Sequence, residues 1–556
     1  MFSDEKDKGV LRIGMMIRDI EELANWELRI LKGIIEHPRL ELALFIKDGR
    51  GKTFSFGSRF KRNILTPHAV ANVLFKLQVK LESFLSKPAL TVDKQELIDK
   101  TKGLETILMY PERKGYCDLF SDDESERVKA YNLDLIIRQE FNIIGGNILQ
   151  AARYGIWSFH HADNAINRGG PCGFWEFANK EPCCGVTLQR LTPELDGGLV
   201  IDKAWYNISS RSFVKNRNEL FEKSVSLLFI NIDKLLAKNE LETQKSLTYY
   251  NRLYMAPTLK PLWRYMASFY GHGLARLCRK LLPVGRENCW ALFLGKGEFM
   301  ETALFRLKPI PMPPGVFWAD PFLFKHEGQL YVFFENCPYK TGRGKISYGR
   351  VVEEKKGRYS LADVGDALDF DYHLSYPYVV EEGGEIFLIP ETENARRLEV
   401  YRAVEFPGKW ELYATAFEGE KLVDATYFCD ENGDRWLFVN KWPYEAYLYI
   451  YKIDSLKLGQ IIGHKANPVI KDCRRARSGG AIFKYMNEYH RPSQVSTHGL
   501  YGHNMQISRI KKLTLDEYEE EPLITIEPNF RPGLVGIHHL HQINGAFVFD
   551  ARFKKM

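Results

Sequence analysis

Residues 319–335 read ADPFLFKHEGQLYVFFE, which is an apolar strand, a polar turn and a second apolar strand. The Glu327-Gly328 turn tolerates the positive φ that a two-residue β-hairpin requires. Four further stretches with this layout begin at residues 375, 424, 477 and 537. Self-similarity at a near-constant period is typical of repeat folds, so the second half of the chain is predicted to be all-β.

The intervals between the repeats indicate how many strands each unit holds. Successive starts lie 56, 49, 53 and 60 residues apart, which is longer than one hairpin. Each unit is therefore expected to contain about four strands, the content of a propeller blade. Five units predict a five-bladed β-propeller over residues 287–556. A β-sandwich is the structural alternative, but it does not explain the polar residue that opens each unit.

Polar residues recur at two points of the repeat. The set that opens the units is Asp320, Tyr376, Asp424, Ser478 and His538. The set that ends the second strand of each hairpin is Glu335, Glu391, Asn440, Gln494 and Asp550. Because the innermost strands of a propeller surround a central channel, the first set is expected to converge there. The second set is expected either to line the same face or to cap the blades.

A channel that combines charged and aromatic side chains suits a sugar, since hydroxyl groups need polar partners and ring faces stack on aromatic rings. The stacking residues are expected to be Trp318, Tyr376 and Trp442. The residues predicted to bind the carbohydrate are Asp320, Glu391, Asp424, Arg477, Arg491 and His538. Paired carboxylates could also hydrolyse a glycoside. Alternatively, these charges only neutralise one another inside a narrow channel.

The first 210 residues show the alternation of strands and helices that predicts an open-sheet α/β domain. Strands are predicted at 10–17, 40–47 and 134–137, and helices at 25–35 and 148–154. The strands are continuous apolar runs, which is typical of parallel strands covered on both faces. A long polar insertion is expected over 49–125.

Residues 211–286 are predicted to form a helical linker between the two domains. Within this linker, residues 259–282 (LKPLWRYMASFYGHGLARLCRKLL) are basic, aromatic and amphipathic. This composition suits a helix packed between domains, and it also suits a helix that makes peripheral contact with a membrane surface. The sequence has no run of 18 apolar residues, so no membrane-spanning segment is expected.

Composition and charge argue against several classes of protein. With 45% apolar and 13% aromatic residues, the chain is expected to bury several cores and not to be disordered. The 77 basic and 71 acidic residues give a net charge of +6 that is spread along the chain, so nucleic-acid binding is not expected. The nine cysteines contain no CxxC pair, which favours reduced thiols over disulfides or a zinc site. No metal site is predicted, and a cytoplasmic location is expected.

Two stretches of the α/β domain carry candidate catalytic residues. Residues 158–175 read SFHHADNAINRGGPCGFW, and residues 185–201 read GVTLQRLTPELDGGLVI. They place His160 at the end of a strand and Asp196 in a Gly-rich turn, which is a plausible acid/base pair. An isolated His and Asp are more often structural, so the residues alone leave both roles open.

The same two stretches resemble the formyltransferase family, which includes methionyl-tRNA, glycinamide ribonucleotide and sugar N-formyltransferases. The matching positions are His160, Arg168, Gly169, Trp175, Gly185, Val186, Thr187, Asp196 and Gly198. The resemblance implies that an amine attacks the formyl carbon of 10-formyltetrahydrofolate, with His160 as the acid/base and Asp196 as its partner. The residues that it implies for the folate pocket are Phe141, Asn142, Ile143, Ile144 and Gly146.

One catalytic position departs from the formyltransferase pattern. Ser158 stands where the family has an Asn that donates a hydrogen bond to the developing oxyanion. A Ser hydroxyl is also a donor, but it is shorter, and loss of a well-placed donor costs about 10²- to 10³-fold in rate. Two interpretations follow: Ser158 or a nearby amide substitutes for the Asn, or the domain binds a related ligand or carries out a different transfer.

The second half of the chain is similar to the N-terminal propeller domain of plant glucosamine inositolphosphorylceramide transferases and, more distantly, to five-bladed glycoside hydrolases. The residues that carry this similarity are WADPF at 318–322, SYPY at 375–378, ARSGG at 476–480 and RPSQ at 491–494. In the hydrolases, carboxylates in three successive blades perform the reaction. Here the second unit opens with Ser375-Tyr376, so that triad is not reproduced.

Together these features predict an enzyme that transfers a formyl group from 10-formyltetrahydrofolate to an amino sugar, either nucleotide-linked or part of a glycan, in cell-surface polysaccharide synthesis. The propeller is expected to bind the carbohydrate and so raise the local concentration of the acceptor amine. In the alternative, the propeller carries the activity as a glycosidase or glycosyl-transfer module, and the formyltransferase-like domain is catalytically altered. A third possibility is a non-catalytic carbohydrate-binding protein.

Overall fold

The structure is a computed structural model that describes residues 9–50, 67–85, 91–194, 198–208, 212–245, 248–281, 289–442 and 444–554. The chain divides into two compact units, Met1–Leu277 and Cys278–Met556. The first unit combines helices with a mixed sheet, and the second is all-β, so the two predicted fold classes are confirmed. No helix in the described ranges has both the length and the hydropathy needed to cross a bilayer.

The first unit alternates helices and strands from residue 11 onward. Its helices are α1 (Asn25–Glu36), α2 (Pro67–Leu85), α3 (Lys94–Lys100), α4 (Asp122–Lys129), α5 (Phe174–Ala178), α6 (Phe213–Lys238) and α7 (Leu259–Leu281). Its strands are β1 (Leu11–Met16), β2 (Leu40–Asp48), β3 (Thr106–Met109), β4 (Glu112–Lys114), β5 (Cys117–Leu119), β6 (Leu135–Arg138), β7 (Ile143–Gly145), β8 (Ile156–His160), β9 (Cys183–Arg190) and β10 (Leu199–Asn207).

The main sheet of the first unit has the strand order β10-β9-β8-β6-β1-β2-β3. Five neighbouring strands, from β8 to β3, are parallel as predicted, but β9 pairs antiparallel with both β8 and β10. The short connection between β9 and β10 allows only a hairpin, because a parallel crossover needs a dozen or more residues. The sheet is therefore mixed and not fully parallel.

Two segments of the first unit differ from their sequence-based descriptions. The insertion at 49–125 contributes the edge strand β3 and the helices α2, α3 and α4, so it is not simply polar. The helix predicted at 148–154 is one 3₁₀ turn, Asn147–Gln150. It ends there because the amides of Arg153 and Tyr154 donate to the carbonyls of Leu133 and Asp134 ahead of β6.

The segment predicted as a helical linker packs on the first unit. Glu222 of α6 accepts hydrogen bonds from Asn25 (2.8 Å) and Arg29 (2.7 Å) of α1. Leu262 and Tyr265 of α7 are buried against Phe174. Helix α6 and this part of α7 therefore contribute to the core of the first unit.

The second unit consists of antiparallel strands from residue 289 onward. They are β11 (Cys289–Lys296), β12 (Val316–His326), β13 (Gln329–Pro338), β14 (Lys345–Lys355), β15 (Arg358–Leu368), β16 (Ser375–Glu382), β17 (Glu385–Glu391), β18 (Leu398–Glu405), β19 (Lys409–Ala416), β20 (Leu422–Cys429), β21 (Arg435–Lys441), β22 (Tyr444–Ile453), β23 (Ile461–Gly463), β24 (Ile470–Lys471), β25 (Phe483–Tyr485), β26 (Glu488–Thr497), β27 (Leu500–Leu513), β28 (Tyr518–Ile526), β29 (Leu534–Ile543) and β30 (Ala546–Phe553).

Within the described part of the second unit, these strands form five separate sheets. Their orders are β11-β30-β29, β12-β13-β14-β15, β16-β17-β18-β19, β20-β21-β22-β23 with β24 beside β22, and β25-β26-β27-β28. Each predicted hairpin is present as the first two strands of a sheet or, for the last repeat, as β29-β30. The last repeat is completed by β11, which comes from the start of the unit, so it has three strands and not four.

Candidate functional site

A cavity of about 220 Å³ lies in the second unit, and residues from all five sheets form its wall. The lining residues are Trp290, Phe317, Ala319, Asp320, Glu335, His373, Ser375, Glu391, Asp424, Arg477, Tyr501 and His538. Five of the six residues predicted to bind carbohydrate are among them: Asp320, Glu391, Asp424, Arg477 and His538. These five residues, which were selected from the sequence repeats, therefore lie together around one cavity.

Three residues that open the repeats share an unusual backbone conformation. The φ angle is +48° at Asp320, +48° at Tyr376 and +50° at Asp424. This left-handed region costs about 1–3 kcal/mol for such residues and persists only where the surroundings stabilise it. Carboxylates accept the amides of all three: Asp320 N donates to Asp550 Oδ2 (3.0 Å), Tyr376 N donates to Asp320 Oδ2 (3.3 Å), and Asp424 N donates to Glu391 Oε2 (3.1 Å).

The remaining members of the set that ends the second strands have comparable roles. The amide of Ser478 donates to Asn440 Oδ1 at 3.2 Å. Gln494 donates through Nε2 to Asp424 Oδ2 (3.0 Å) and to the carbonyl of Ser478 (2.8 Å). Glu335 and Glu391 thus line the cavity, which is one of the two expectations for this set, whereas Asn440, Gln494 and Asp550 form hydrogen bonds with the backbone around it.

Arg477 is the fixed cation of the cavity. Its Nε donates to Asp424 Oδ2 at 2.5 Å, its Nη2 lies 4.0 Å from Glu391 Oε2, and its guanidinium lies 4.9 Å from the centre of the Tyr501 ring. Burial alone would lower the pKa of Arg477, but Asp424, Tyr501 and Glu391 raise it well above its usual value. The guanidinium therefore stays charged in a half-buried position.

His538 lies between two carboxylates. Its Nδ1 is 2.7 Å from Asp550 Oδ1, and its Nε2 is 3.4 Å from Asp320 Oδ1. Its ring stacks on Trp290, with a centroid distance of 4.0 Å and an interplanar angle of 19°. Burial alone would lower the pKa of His538, but Asp550 and Asp320 raise it above its usual value. The protonated imidazolium is thus the form that this arrangement stabilises.

Two groups of side chains in the described residues have the spacing of metal ligands, because the ligand atoms within each group lie within 4.8 Å of one another. The first group is Asp320, His538 and Asp550, and the second is Glu335, Cys337 and His373. In the first group, the His538 imidazolium already serves as the cation between the carboxylates. In the second, the Gly344 amide donates to His373 Nδ1 at 2.8 Å, so a neutral ring carries its proton on Nε2, which faces Glu335 at 3.4 Å. His538 and His373 thus each present to a neighbouring carboxyl group a ring nitrogen that carries a proton.

The cavity contains more carboxyl groups than cations. Four lining residues carry a carboxyl group, whereas Arg477 and His538 supply the positive charges that the arrangement stabilises. Burial raises the pKa of Asp320 to about 7, and burial together with neighbouring carboxylates raises the pKa values of Glu335 and Glu391 well above their usual range. Asp320 Oδ1 has no hydrogen-bond partner in the described residues. The cavity is therefore suited to a ligand that brings a positive charge and hydrogen-bond donors.

The prediction for Arg491 is wrong. Its side chain is 1% exposed and forms an ion pair with Glu520, which is 2% exposed, at a distance of 2.8 Å. Arg491 Nη2 also donates a hydrogen bond to the carbonyl of Arg475 at 2.6 Å. Arg491 therefore links β26 to β28 across β27 and does not line the cavity.

The aromatic residues of the cavity also differ from those expected. Trp318 and Tyr376 are buried in the packing of the unit, and Trp442 is exposed, with Lys421 lying 4.6 Å from its ring centre. The cavity is lined instead by Trp290 and Phe317, together with Tyr501. Trp290 and Tyr501 lie outside the repeated hairpins, so the repeat pattern carried no signal for them.

In the first unit, Ser158 is held by an arginine. Arg138 Nη1 donates to Ser158 Oγ at 2.9 Å, and its Nη2 donates to the carbonyls of Phe141 (2.8 Å) and Asn142 (2.9 Å). Burial lowers the pKa of Arg138 from its usual value, although Glu140 and Asp118 oppose this change. Ser158 thus lies beside a cation where the formyltransferase pattern has an amide.

His160 is the last residue of β8. Its Nε2 lies 2.6 Å from the carbonyl oxygen of Asn167. Asn167 in turn donates to the buried Glu176 at 3.0 Å, and burial raises the pKa of Glu176. These contacts orient the imidazole from one side. Asp196, the predicted partner of His160, lies outside the described residues.

The residues implied for the folate pocket occupy different environments. Phe141 and Ile144 are buried in a core cluster with Phe120, whereas Asn142 and Ile143 are exposed. Gly146 has a φ of +100°, and a Cβ there would lie 2.5 Å from the Phe120 carbonyl oxygen, so only glycine fits. The stretch therefore contributes to the core on one side and to the surface on the other.

Part of the second unit matches known proteins in sequence. Residues 310–530 match the family model described as glucosamine inositolphosphorylceramide transferase 1, N-terminal. The rice (Oryza sativa subsp. japonica) protein named glucosamine inositolphosphorylceramide transferase 1 is 33% identical over 217 residues, which is 38% of this chain and 28% of the rice protein. The similarity expected for this half of the chain is thus confirmed, and the chain spans about 28% of the length of that relative.

Solved structures with partial likeness to the chain fall into two groups. Glycinamide ribonucleotide transformylase 1 from Symbiobacterium toebii has 15% identity and a TM-score of 0.29, over 42% of this chain and 94% of its own. CoXyl43, a GH43 β-xylosidase/α-arabinofuranosidase from a compost microbial metagenome, has 14% identity and a TM-score of 0.31, over 43% of this chain and 87% of its own. Of the cavity residues, all but Trp290 and His538 lie within the 310–530 match.

Proposed function

We propose that the second unit is the carbohydrate-binding part of a glycosyl-transfer protein and that its cavity holds the ring of one amino sugar. The sequence match of residues 310–530 to transferases named for glucosamine supports this proposal. The proposal follows the alternative expected from the sequence in its glycosyl transfer, although that alternative had the propeller carry the activity as a glycosidase or glycosyl-transfer module. It does not require the first unit to transfer a formyl group.

We infer further that the five sheets are the blades of a five-bladed β-propeller around this cavity. Contacts between the first strands support the inference. The Tyr376 hydroxyl is 2.6 Å from Thr426 Oγ1 and accepts from the amide of Gly480 at 3.2 Å. The amide of Leu540 donates to the carbonyl of Gly479 at 2.8 Å. These contacts link the second repeat to the third and fourth, and the fourth repeat to the fifth, through residues near the start of each repeat.

The excess of carboxyl groups is the observation that carries the proposal for the ligand. Asp320, Glu335 and Glu391 repel one another when all are ionised, and a ligand cation relieves that repulsion. The ammonium group of an amino sugar brings such a charge together with three hydrogen-bond donors, and Asp320 Oδ1, which accepts no hydrogen bond from the described residues, is an acceptor for one of them. Sugar hydroxyl groups find further partners in Arg477 and Ser375.

The volume of the cavity limits the size of the ligand. About 220 Å³ is smaller than the roughly 300–1,000 Å³ of sites for drug-sized molecules. The cavity therefore suits one sugar ring and not an oligosaccharide. A longer glycan would place only its terminal residue inside.

Asp320→Asn is expected to weaken the binding of glucosamine by about 10- to 100-fold. This range corresponds to the loss of one hydrogen bond to a charged acceptor, about 1.5–3 kcal/mol. Isothermal titration calorimetry of the full chain with glucosamine measures the effect. Glucose and N-acetylglucosamine, which lack the ammonium group, are the matched ligands, and Glu381→Gln at an exposed position of β16 is the matched variant.

The proposal requires wild type and Glu381→Gln to bind glucosamine in preference to both neutral sugars. Equal affinity for all three sugars would contradict the role assigned to the carboxyl groups. Failure of wild type to bind any of them, at concentrations where other sugar-binding proteins saturate, would contradict the carbohydrate site itself.

The second candidate function is formyl transfer from 10-formyltetrahydrofolate to an amino sugar by a cytoplasmic enzyme of cell-surface polysaccharide synthesis. The contact between Arg138 and Ser158 favours it. A hydroxyl that accepts from a guanidinium is polarised and becomes a better donor to a developing oxyanion. Ser158 and His160 are two residues apart on β8 and so share one face of the sheet.

His160→Ala is expected to lower the rate of formyl transfer by about 10²- to 10⁴-fold, the usual contribution of a general acid/base. The measurement is mass spectrometry of nucleotide-linked amino sugars after incubation with 10-formyltetrahydrofolate, where the product gains one formyl group. His68→Ala, at an exposed position of α2, is the matched control. Absence of a formylated product with every amine of the panel would overturn this candidate and leave the carbohydrate site unaffected.

A further inference from the structure

Helix α2 has an apolar face that is separate from its packed face. Ala71, Gln78 and Glu82 point into the first unit and are buried. A second stripe follows the helical repeat and is exposed; its members are Val70, Val73, Leu77, Leu81, Phe84 and Leu85. Leu77 is 60% exposed and Phe84 is 85% exposed. A helix that only covers a protein core has one apolar stripe, so the second stripe of α2 calls for another partner.

Helix α7 repeats this arrangement. Leu262 and Tyr265 are buried against the first unit. Its exposed apolar stripe lies about one third of a turn away in the helical repeat and consists of Leu259, Trp263, Tyr270, Leu274 and Leu277. Trp263, at 72% exposed, is the most exposed of these residues.

The two helices are in contact. The hydroxyl of Tyr270, a member of the exposed stripe, donates to Gln78 Oε1 at 2.8 Å, and the hydroxyl of Tyr265 donates to Glu82 Oε1. The two exposed stripes therefore belong to neighbouring helices of one unit. We refer to them together as the α2–α7 face.

The charged side chains that are exposed on these two helices, among the described residues, are all positive. Lys76 and Lys80 of α2 and Lys260 and Arg264 of α7 are exposed. Helix α7 contains no Asp or Glu, and the single carboxylate of α2, Glu82, is 1% exposed and engaged with Ser212 and Tyr265. The α2–α7 face thus combines apolar stripes with exposed positive charge and no exposed negative charge.

We propose that the α2–α7 face docks on the surface of an anionic lipid bilayer. Apolar side chains enter the boundary between headgroups and acyl chains, where Trp and Tyr side chains are favoured, while Lys and Arg side chains reach the anionic headgroups. A second copy of the chain is a poorer occupant, because a two-fold interface would bring the same positive charges together. The sequence alone suggested such contact only for α7, and the structure adds α2.

The test is flotation of the full chain with vesicles at physiological salt. Vesicles of phosphatidylcholine with 30% phosphatidylserine are compared with vesicles of phosphatidylcholine alone. The double variant Leu77→Glu/Trp263→Glu replaces one exposed side chain on each helix, and circular dichroism checks that it folds. Phe305→Glu, which changes a 63%-exposed aromatic residue of the second unit, is the matched control.

Wild type and Phe305→Glu are expected to bind the phosphatidylserine vesicles, and the double variant is expected to bind them at least tenfold more weakly. Binding to phosphatidylcholine alone is expected to be weaker, and added salt is expected to reduce binding to the anionic vesicles. Absence of wild-type binding to the anionic vesicles, or equal binding by the double variant, would overturn the proposal. So would a wild-type dimer that the double variant dissociates, because the occupant would then be a second copy.

Discussion

Replacing Arg491 by leucine is expected to lower the free energy of unfolding of the second unit by about 3–5 kcal/mol. The guanidinium and the Glu520 carboxylate are both buried, and they are 2.8 Å apart. Removal of one partner from a buried pair leaves the other charge without compensation, which is the reason for the large cost. Urea unfolding of the full chain measures the effect, followed by hydrogen exchange of peptides from β26 and β28 so that the result refers to this unit.

Two further variants separate the loss of charge pairing from simple loss of packing. Arg491→Leu/Glu520→Gln removes both charges and keeps an acceptor for the Tyr518 hydroxyl, which donates to Glu520 at 2.6 Å. It is expected to recover more than half of the lost stability. Arg509→Leu removes an arginine of β27 that pairs with exposed carboxylates, and it is expected to cost only a small part of the Arg491 loss. An Arg491→Leu protein that unfolds at the wild-type urea concentration would contradict the argument.

The orientation of Arg491 follows from the alternation of side chains along β26. Gln494 lies on β26, the second strand of its repeat, and contacts Asp424 beside the cavity. Side chains alternate between the faces of a strand, so a residue three positions earlier points to the opposite face. The alternation rule thus excludes Arg491 from the cavity, although its charge suggested a binding role.

The repeated hairpins were predictable because their signals are local. Glu327 and Gly328 both have positive φ, +48° and +75°, as the two-residue turn between β12 and β13 requires. The polar residues that open and end the hairpins all lie six to eight residues from the first residue of such a turn. The equivalence of Asp320 and Asp424 therefore followed from the sequence, and their shared backbone conformation confirms it.

The closure of the second unit was not predictable from local signals. Strand β11 pairs with β30, so Cys289 lies opposite Phe553 at the other end of the unit. This pairing places Trp290 against His538, and nothing near Trp290 in the sequence indicates a contact of such separation. In the first unit, similarly, apolar runs indicated buried strands but not that β9 runs antiparallel to β8.

The second large effect concerns pH and Asp320. Burial raises its pKa to about 7 in the folded protein, against about 3.9 in an unfolded chain. Between these values the folded state keeps a proton that the unfolded state releases. The contribution of Asp320 to the free energy of unfolding therefore falls as pH rises from about 4 to about 7. Above that range the contribution stays at the lower level. The expected size of this loss is on the order of a few kcal/mol.

Asp320→Asn is neutral at every pH and retains an oxygen acceptor for the Tyr376 amide. We therefore expect the variant to match wild type in stability near pH 4 and to exceed it by a few kcal/mol near pH 8. Buried His541, with a pKa lowered to about 3 by burial, has the opposite pH dependence, but it is common to both proteins and cancels in the difference. Urea unfolding at both pH values gives this difference, with Glu381→Gln as control.

A variant less stable than wild type at pH 8 would mean that His538 stabilises the ionised carboxylate more than burial penalises it. A variant that is more stable at pH 8 and yet binds glucosamine more weakly would show that the charge is kept for the ligand and not for the fold.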